Sequence, residues 1–198
     1  MFNCPSRRSS TLYPNAHPSG YTLINVDRVS PVAKSDYAAN GGHMTPCPCV
    51  MASSFPQGDD PNFPWQPEHR GNTGIINQRS EYKLAAIRDG ASNTIMLGEK
   101  YLSPDHYSTG ISGADDHSMY AGYDQDTIRW SYAGQTNQMY IRDRDGYTID
   151  GWGSAHAVGG HFVFCDGSIR MIYYEIDSDT FVRLIRREDG QSIDASTF

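Results

Sequence analysis

The placement of the prolines limits the fold of this 198-residue chain more than any other feature. Ten of its 11 prolines lie within residues 1–70. Each proline fixes the backbone φ angle and lacks an N–H donor, so this part of the chain suits neither helices nor central strands. We therefore predict irregular loops and edge strands over residues 1–70 and a regular core over residues 71–198. The length suits one domain, so we expect residues 1–198 to form a single domain.

The clearest strand pattern lies near the C-terminus. Asp166 and Gly167 are flanked by the runs HFVFC and IRMIYYEI, and an Asp-Gly pair between two β-rich runs is typical of a hairpin turn. We therefore predict a hairpin over residues 161–175 within the main sheet. Apolar spacing predicts short helices over residues 83–88 and 178–187. The pattern as a whole indicates an α+β domain with mainly antiparallel strands, short helices and long loops.

Charge and hydropathy exclude several partners. The net charge is −7, and the positive side chains are scattered, so a nucleic-acid partner is not expected. No apolar run reaches the roughly 18 residues that a membrane-spanning helix needs. No apolar segment at the start of the chain indicates a signal peptide.

His156, His161, Cys165 and Asp166 lie close together in the sequence and have the side chains of a metal or catalytic site. On a strand, His161 and Cys165 would share one face but lie about 13 Å apart, which is too far for two ligands of one zinc ion. The Cys-x-Cys pair formed by residues 47 and 49 also lacks the spacing of a zinc knuckle. We therefore expect His156 to fix the loop before the hairpin, and we expect no catalytic residue here.

The acidic loops offer a candidate calcium site. Asp143, Asp145 and Asp150 surround a glycine, as in the first part of a calcium-binding loop, but the bidentate glutamate of an EF-hand is missing. Solvated or arginine-paired carboxylates are the alternative, with Arg142 and Arg144 as neighbours. Calcium is thus the one cofactor that the sequence leaves open.

Two further functions remain open on the residues alone. Trp65, Trp130 and Trp152 would allow a secreted module to stack on carbohydrates or peptides. A glycoside hydrolase needs two facing carboxylates, and the loops carry seven aspartates that could supply them: Asp115, Asp116, Asp124, Asp126, Asp143, Asp145 and Asp150.

Four sequence blocks resemble a known family. His156 is followed by nine residues and then by Asp166 and Gly167, which matches the prepilin-associated H-X9-DG signature. The segment IRDGASNTIMLGEKYL resembles the DGTSNT…GE block of the same proteins, and NCPSRR and SDYAANGG resemble the opening of their head domain. The chain is therefore identified as a member of the pilin-like family called domain of unknown function 1559, abundant in planctomycetes and once described as solute-binding. The motif residues of the second block are Asp89, Gly90, Ser92, Asn93 and Glu99.

The resemblance implies a pilin-like head domain and a non-enzymatic structural role in a cell-surface, extracellular or periplasmic assembly. Type IV pilins and the pseudopilins of secretion systems are the reference proteins, and the implied partners are other pilin-like subunits or envelope proteins. Family members usually begin with a prepilin peptide and a hydrophobic helix. Neither is found in this sequence, so membrane attachment is expected only through such a missing helix. An oxidising compartment implies a disulfide, with Cys4 and the pair Cys47 and Cys49 as the favoured partners and Cys165 as an alternative.

Overall fold

A computed structural model describes residues 2–16, 27–43, 52–64, 73–131, 140–146 and 151–194. The domain is built on β-strands, with helices of at most eight residues and long connecting loops. The strands are β1 (Leu12–Tyr13), β2 (Val32–Ala33), β3 (Tyr37–His43), β4 (Ile95–Glu99), β5 (Ile128–Ser131), β6 (Tyr140–Arg142), β7 (Trp152–Ser154), β8 (Gly159–Phe164) and β9 (Ile169–Tyr173). The α-helices are α1 (Phe55–Asp59) and α2 (Ser178–Ile185), and 3₁₀ turns span Leu84–Ala86 and Pro104–His106.

The main sheet has five strands in the order β5-β3-β4-β8-β9. All of its neighbouring pairs are antiparallel except β3 and β5, which run parallel. Two small pairs complete the strands of the described ranges: an antiparallel β1-β2 pair and a parallel β6-β7 pair. The predicted α+β class, with its mainly antiparallel sheet, is confirmed.

The C-terminal hairpin is β8 and β9, and it belongs to the main sheet as predicted. Gly167 has a positive φ of 85°, which a glycine adopts without the steric cost that a Cβ atom adds. The loop is longer than the two-residue type I′ or II′ turn in which Asp-Gly pairs are common. Phe164 pairs with Ser168, and the Gly167 N–H donates to the Phe164 carbonyl, so the loop has three residues with the glycine last.

The core lies between the hairpin face of the sheet and α2. Phe162 and Phe164 point to one face, because alternate residues of a strand share a face, and both are fully buried. Helix α2 begins after Asp177, whose side chain accepts from the Thr180 N–H, and covers this face with four buried apolar residues. The ring of Tyr140 stacks on Phe181 with centroids 5.1 Å apart.

Two helix predictions need adjustment. The helix expected over residues 83–88 is only the 3₁₀ turn Leu84–Ala86, because Leu84 is exposed and no buried face stabilises a longer segment. The helix expected over 178–187 ends two residues earlier, at Ile185. Within the described ranges, no helix has the length and apolar character needed to cross a membrane.

Candidate functional site

The four family-like blocks meet in one interior region. Cys4 comes from NCPSRR, Asp36 from SDYAANGG, Glu99 from the end of β4, and His156 from the loop between β7 and β8. The Cys4 N–H donates to Asp36 Oδ2 at 2.7 Å, and the Cys4 thiol reaches His156. Residues more than 150 positions apart in the sequence are therefore in contact, and the family pattern has a shared structural basis.

At the centre of this region, three different donor atoms point at each other. The Cys4 Sγ lies 3.6 Å from His156 Nε2, and the same nitrogen lies 3.5 Å from Glu99 Oε1. All three donor atoms lie within 4.8 Å of one another. Cys4 and Glu99 are 2% and 1% exposed, whereas the imidazole of His156 is 30% exposed. The cluster is thus an interior site with one side open toward solvent through a histidine.

The Glu99 carboxylate is held by one of its two oxygens. Its Oε2 accepts the His161 N–H at 2.8 Å and lies 3.6 Å from the His161 Nδ1. A Cβ atom at residue 160 would lie 3.2 Å from this oxygen, so Gly160 allows the close approach of the carboxylate to β8. The other oxygen, Oε1, is buried and has no hydrogen-bond donor. It faces the cysteine and His156.

This arrangement does not suit a cysteine nucleophile. In a cysteine-histidine-carboxylate relay, the thiol and the carboxylate contact opposite nitrogens of the imidazole ring. Here both approach the same nitrogen, Nε2. Burial and the neighbouring Glu99 raise the pKa of the Cys4 thiol, which disfavours a free thiolate. The geometry therefore brings ligand atoms together without building a proton relay.

Beside the cluster, two arginines of the first block are buried in ion pairs. Arg7 Nε donates to Asp143 Oδ2 at 2.8 Å, and Arg8 contacts Asp36 at 2.7 Å and Asp115 at 2.6 Å. The nearby carboxylates outweigh the effect of burial and raise the pKa of both guanidinium groups. Both side chains therefore stay charged in the interior and fix this part of the chain there.

The carboxylate of Asp115 joins this network to β4. Lys100, which follows β4, places its ammonium 2.9 Å from Asp115 Oδ1. Burial alone would raise the pKa of Asp115, but Lys100 and Arg8 outweigh it and lower that pKa to about 2. Asp115 is therefore a buried ion-pair partner, and its charge is already compensated.

The remaining motif residues build turns. Asp89 accepts the N–H groups of Asp189 and Gly190, so it ties the end of the chain's described part to the second block. Gly90 has a positive φ of 95°, and the Asn93 amide donates to the Asp89 carbonyl.

The tip of the hairpin rests on the same block. The Asp166 N–H donates to the Ala91 carbonyl, and its Oδ1 accepts the Ser168 N–H. The Gly167 backbone closes the turn, while Ser92 is exposed. Through these contacts, the motif residues stabilise the turns in which they lie.

A second group of donor atoms lies in the loop before β5. His117, Asp124 and Asp126 bring their side chains within 4.8 Å of one another. Asp124 Oδ1 accepts the Asp126 N–H, and Asp126 Oδ1 accepts the His117 N–H, so these carboxylates also shape their own loop. Burial raises the pKa of Asp126 to about 7, and the hydrogen bond and charge of Asp124 add to this rise.

The proposed calcium ligands do not gather into a site among the described residues. Both oxygens of Asp143 are engaged: Oδ2 by Arg7 and by the Tyr107 hydroxyl at 2.7 Å, and Oδ1 by the Leu102 N–H at 3.2 Å. Asp145 is exposed in a turn, and Asp150 lies outside the described residues. Asp143 is therefore a structural ion-pair partner, and this counts against the calcium loop.

Two of the three tryptophans expected to stack on carbohydrates or peptides are buried. Trp152 is 0% exposed within the core, and Trp130 is 5% exposed against Tyr123. Both are buried because aromatic rings supply much of the apolar area of this core. Trp65 lies outside the described residues.

The cysteine predictions have a mixed outcome. Cys4 and Cys165 are free thiols, so the disulfide expected for Cys4 is wrong for this structure. Cys47 and Cys49 lie outside the described residues. Cys165 is half-buried and belongs to neither group of donor atoms, in line with the distance argument from the strand.

Sequence reasoning missed the partners of His156. Cys4 and Glu99 are separated from it by 152 and 57 positions, and no local spacing connects the three. A signal was nevertheless present, because each of the three belongs to a different family-like block. Residues that a family pattern singles out in separate blocks are candidates for one shared site.

The chain thus folds into a small α+β domain in which residues of all four blocks meet in the interior. The family described as a protein of unknown function (DUF1559) matches residues 1–179, and the chain belongs to this family. This match covers all four blocks. No protein of curated function and no solved structure matches the chain.

Proposed function

We propose that this chain is the head domain of a non-enzymatic, pilin-like structural subunit in a cell-surface or periplasmic assembly. Its partners in this proposal are further copies of the subunit or other envelope proteins. The observation that carries the proposal is the way in which residues 4–8 are anchored. Arg7 and Arg8 pass their charges into the interior, where they meet Asp36, Asp115 and Asp143.

This anchoring suits a subunit that transmits force. Arg7 also donates to the carbonyls of Lys100 and Gly153, one just after β4 and one in β7. A load applied at the first residues would therefore pass directly into the main sheet and the β6-β7 pair. Buried charge-assisted hydrogen bonds hold such a connection with defined geometry.

A non-catalytic role is supported by how the reactive groups are used. The thiol of Cys4 is buried, and the carboxylates of Asp115 and Asp143 are neutralised by arginines or lysine inside the domain. Two carboxylates facing each other across a cleft would favour a glycoside hydrolase, and these two have other partners. The burial of Trp130 and Trp152 likewise weakens the carbohydrate-binding or peptide-binding alternative.

The test is the location and assembly of the complete gene product in the cells that encode it. We expect a C-terminally tagged protein in the envelope fraction, accessible to added protease on intact cells. A photo-crosslinker at Tyr173, half-exposed on edge strand β9, should yield adducts with a second subunit because edge strands and exposed rings favour contacts between proteins. Tyr120, exposed in a loop, is the matched position. A protein found only in the cytoplasmic fraction, without adducts from either position, would contradict the proposal.

A further inference from the structure

Two of the three distances between donor atoms in the interior cluster match those between the ligands of a tetrahedral metal ion. With Zn–S bonds of about 2.3 Å and Zn–N or Zn–O bonds of about 2.0–2.1 Å, neighbouring ligand atoms in a tetrahedron lie about 3.3–3.6 Å apart. The observed separations are 3.6 Å between Cys4 Sγ and His156 Nε2 and 3.5 Å between this nitrogen and Glu99 Oε1. Direct hydrogen bonds between the nitrogen and oxygen would normally be shorter, near 2.9 Å.

An independent observation is the unpartnered oxygen of Glu99. Its carboxylate is 1% exposed, and Oε1 is buried without a hydrogen-bond donor. A buried carboxylate oxygen normally has a close donor or a cation beside it, and the contact of this oxygen with His156 Nε2 is long, at 3.5 Å. This oxygen points toward the thiol and imidazole, which are themselves metal-ligand types.

From these two observations, we propose that Cys4, Glu99 and His156 bind one divalent transition-metal ion, with Zn²⁺ as the best chemical fit. Thiolate, imidazole and carboxylate are the ligand types that zinc takes in proteins. Calcium and magnesium take oxygen ligands, so the sulfur of Cys4 disfavours both. Three protein ligands leave a fourth position for water or for a neighbouring side chain.

His161 lies beside the three proposed ligands. Its ring packs edge-on against that of His156 with centroids 5.2 Å apart, and it is 48% exposed. Its backbone N–H also holds the second oxygen of Glu99. Through this backbone contact, His161 is a positioning residue for the Glu99 carboxylate.

The ion would connect three distant parts of the chain. Cys4 belongs to the anchored first block, Glu99 ends a central strand, and His156 is the histidine of the H-X9-DG signature. This gives the signature histidine a role that the sequence alone did not assign to it. The hairpin turn of the same signature, at Asp166 and Gly167, has the separate role of docking on the second block.

The experiment measures cobalt binding to the purified, reduced full chain, because Co²⁺ replaces Zn²⁺ and reports thiolate ligation through a charge-transfer absorption band. We expect one equivalent of Co²⁺ to give this band and one equivalent of Zn²⁺ to abolish it. Cys4→Ser should remove the band. The matched control is the double variant Cys47→Ser with Cys49→Ser, which should keep it, as should Cys165→Ser.

Glu99→Gln gives a second readout that keeps the shape of the site. It should lower zinc affinity more than about 100-fold, because changes in outer-shell partners alone cost about 10–100-fold. The circular dichroism spectrum of each variant is compared with that of the wild-type chain to check that the variant is folded. If Cys4→Ser does not fold, the wild-type band and its retention in the Cys47/Cys49 double variant carry the test.

Three results would overturn the proposal. One is the absence of stoichiometric metal binding to the wild-type chain. Another is a thiolate band that persists in Cys4→Ser or disappears in the Cys47/Cys49 double variant. The last is metal binding that gives no thiolate band and that Asp124→Asn abolishes. This result would assign the metal to His117, Asp124 and Asp126 instead.

Discussion

The ion pair between Arg7 and Asp143 is the structural feature whose removal should be most damaging to stability. The side chains of both are at most 1% exposed, and their N–O distance is 2.8 Å. Replacing Arg7 with Met leaves a buried carboxylate without its cation, and it also removes the hydrogen bonds that Arg7 donates to the carbonyls of Lys100 and Gly153. Removing one partner of a buried pair costs about 3–5 kcal/mol. In a domain of this size that corresponds to a melting temperature lower by about 6–20 °C.

A double-mutant cycle separates the pair from general damage. Arg7→Met, Asp143→Asn and the combined variant are compared by urea unfolding, followed through the fluorescence of the buried tryptophans. The combined variant should cost less than the sum of the single changes by about 1–3 kcal/mol, because it leaves no unpaired charge. Arg88, which is exposed, is the matched arginine, and Arg88→Met should change stability by less than about 0.5 kcal/mol. Additive costs, or a loss below about 1 kcal/mol for Arg7→Met, would refute the reasoning.

Four further outcomes are expected. Gly167→Val should lower the free energy of unfolding by about 1 kcal/mol or more because valine resists a positive φ, whereas Gly113→Val, with open space around it, should be milder by chemical denaturation. Burial raises the pKa of Asp126 from 3.8 to about 7, so between these pH values the folded state keeps a proton that the unfolded chain releases. The free energy of unfolding should therefore fall as the pH rises from about 4 to 7. Asp126→Asn should flatten this pH dependence in unfolding curves recorded across that range. The melting temperature should not respond to millimolar calcium in the wild-type chain or in Asp145→Ala, since Asp143 is already paired; a calcium-dependent rise would restore the calcium loop. Cys4, 2% exposed, should react with a thiol reagent only after unfolding, and rapid labelling of the native protein would contradict its buried position.

Local patterns were enough to predict the hairpin and the second helix. The β-rich runs on either side of Asp166 and Gly167 predicted the hairpin, and apolar spacing predicted a helix that begins at residue 178. Both signals arise within about ten neighbouring residues. The 3₁₀ turn at Leu84–Ala86 shows the limit of the same reasoning, because a helical spacing without a buried face does not extend.

The candidate site could be predicted only in part because its contacts are long-range. His156 was recognised through the signature, but its partners Cys4 and Glu99 depend on strand order in the main sheet. The partner of Asp143 was missed for a related reason. Asp143 stands in a polar segment that resembles a solvated loop, yet Arg7 from the opposite end of the chain draws it into the interior.

The separation of 136 positions between Arg7 and Asp143 also has a consequence for how the chain folds. Contacts between residues far apart in sequence require the closure of long loops, which slows folding. During synthesis, Arg7 emerges long before Asp143, so this ion pair forms only after more than two thirds of the chain has left the ribosome. Nascent chains arrested before Asp143 should therefore remain sensitive to protease, and the protein should acquire its native packing only after nearly all of its residues have emerged.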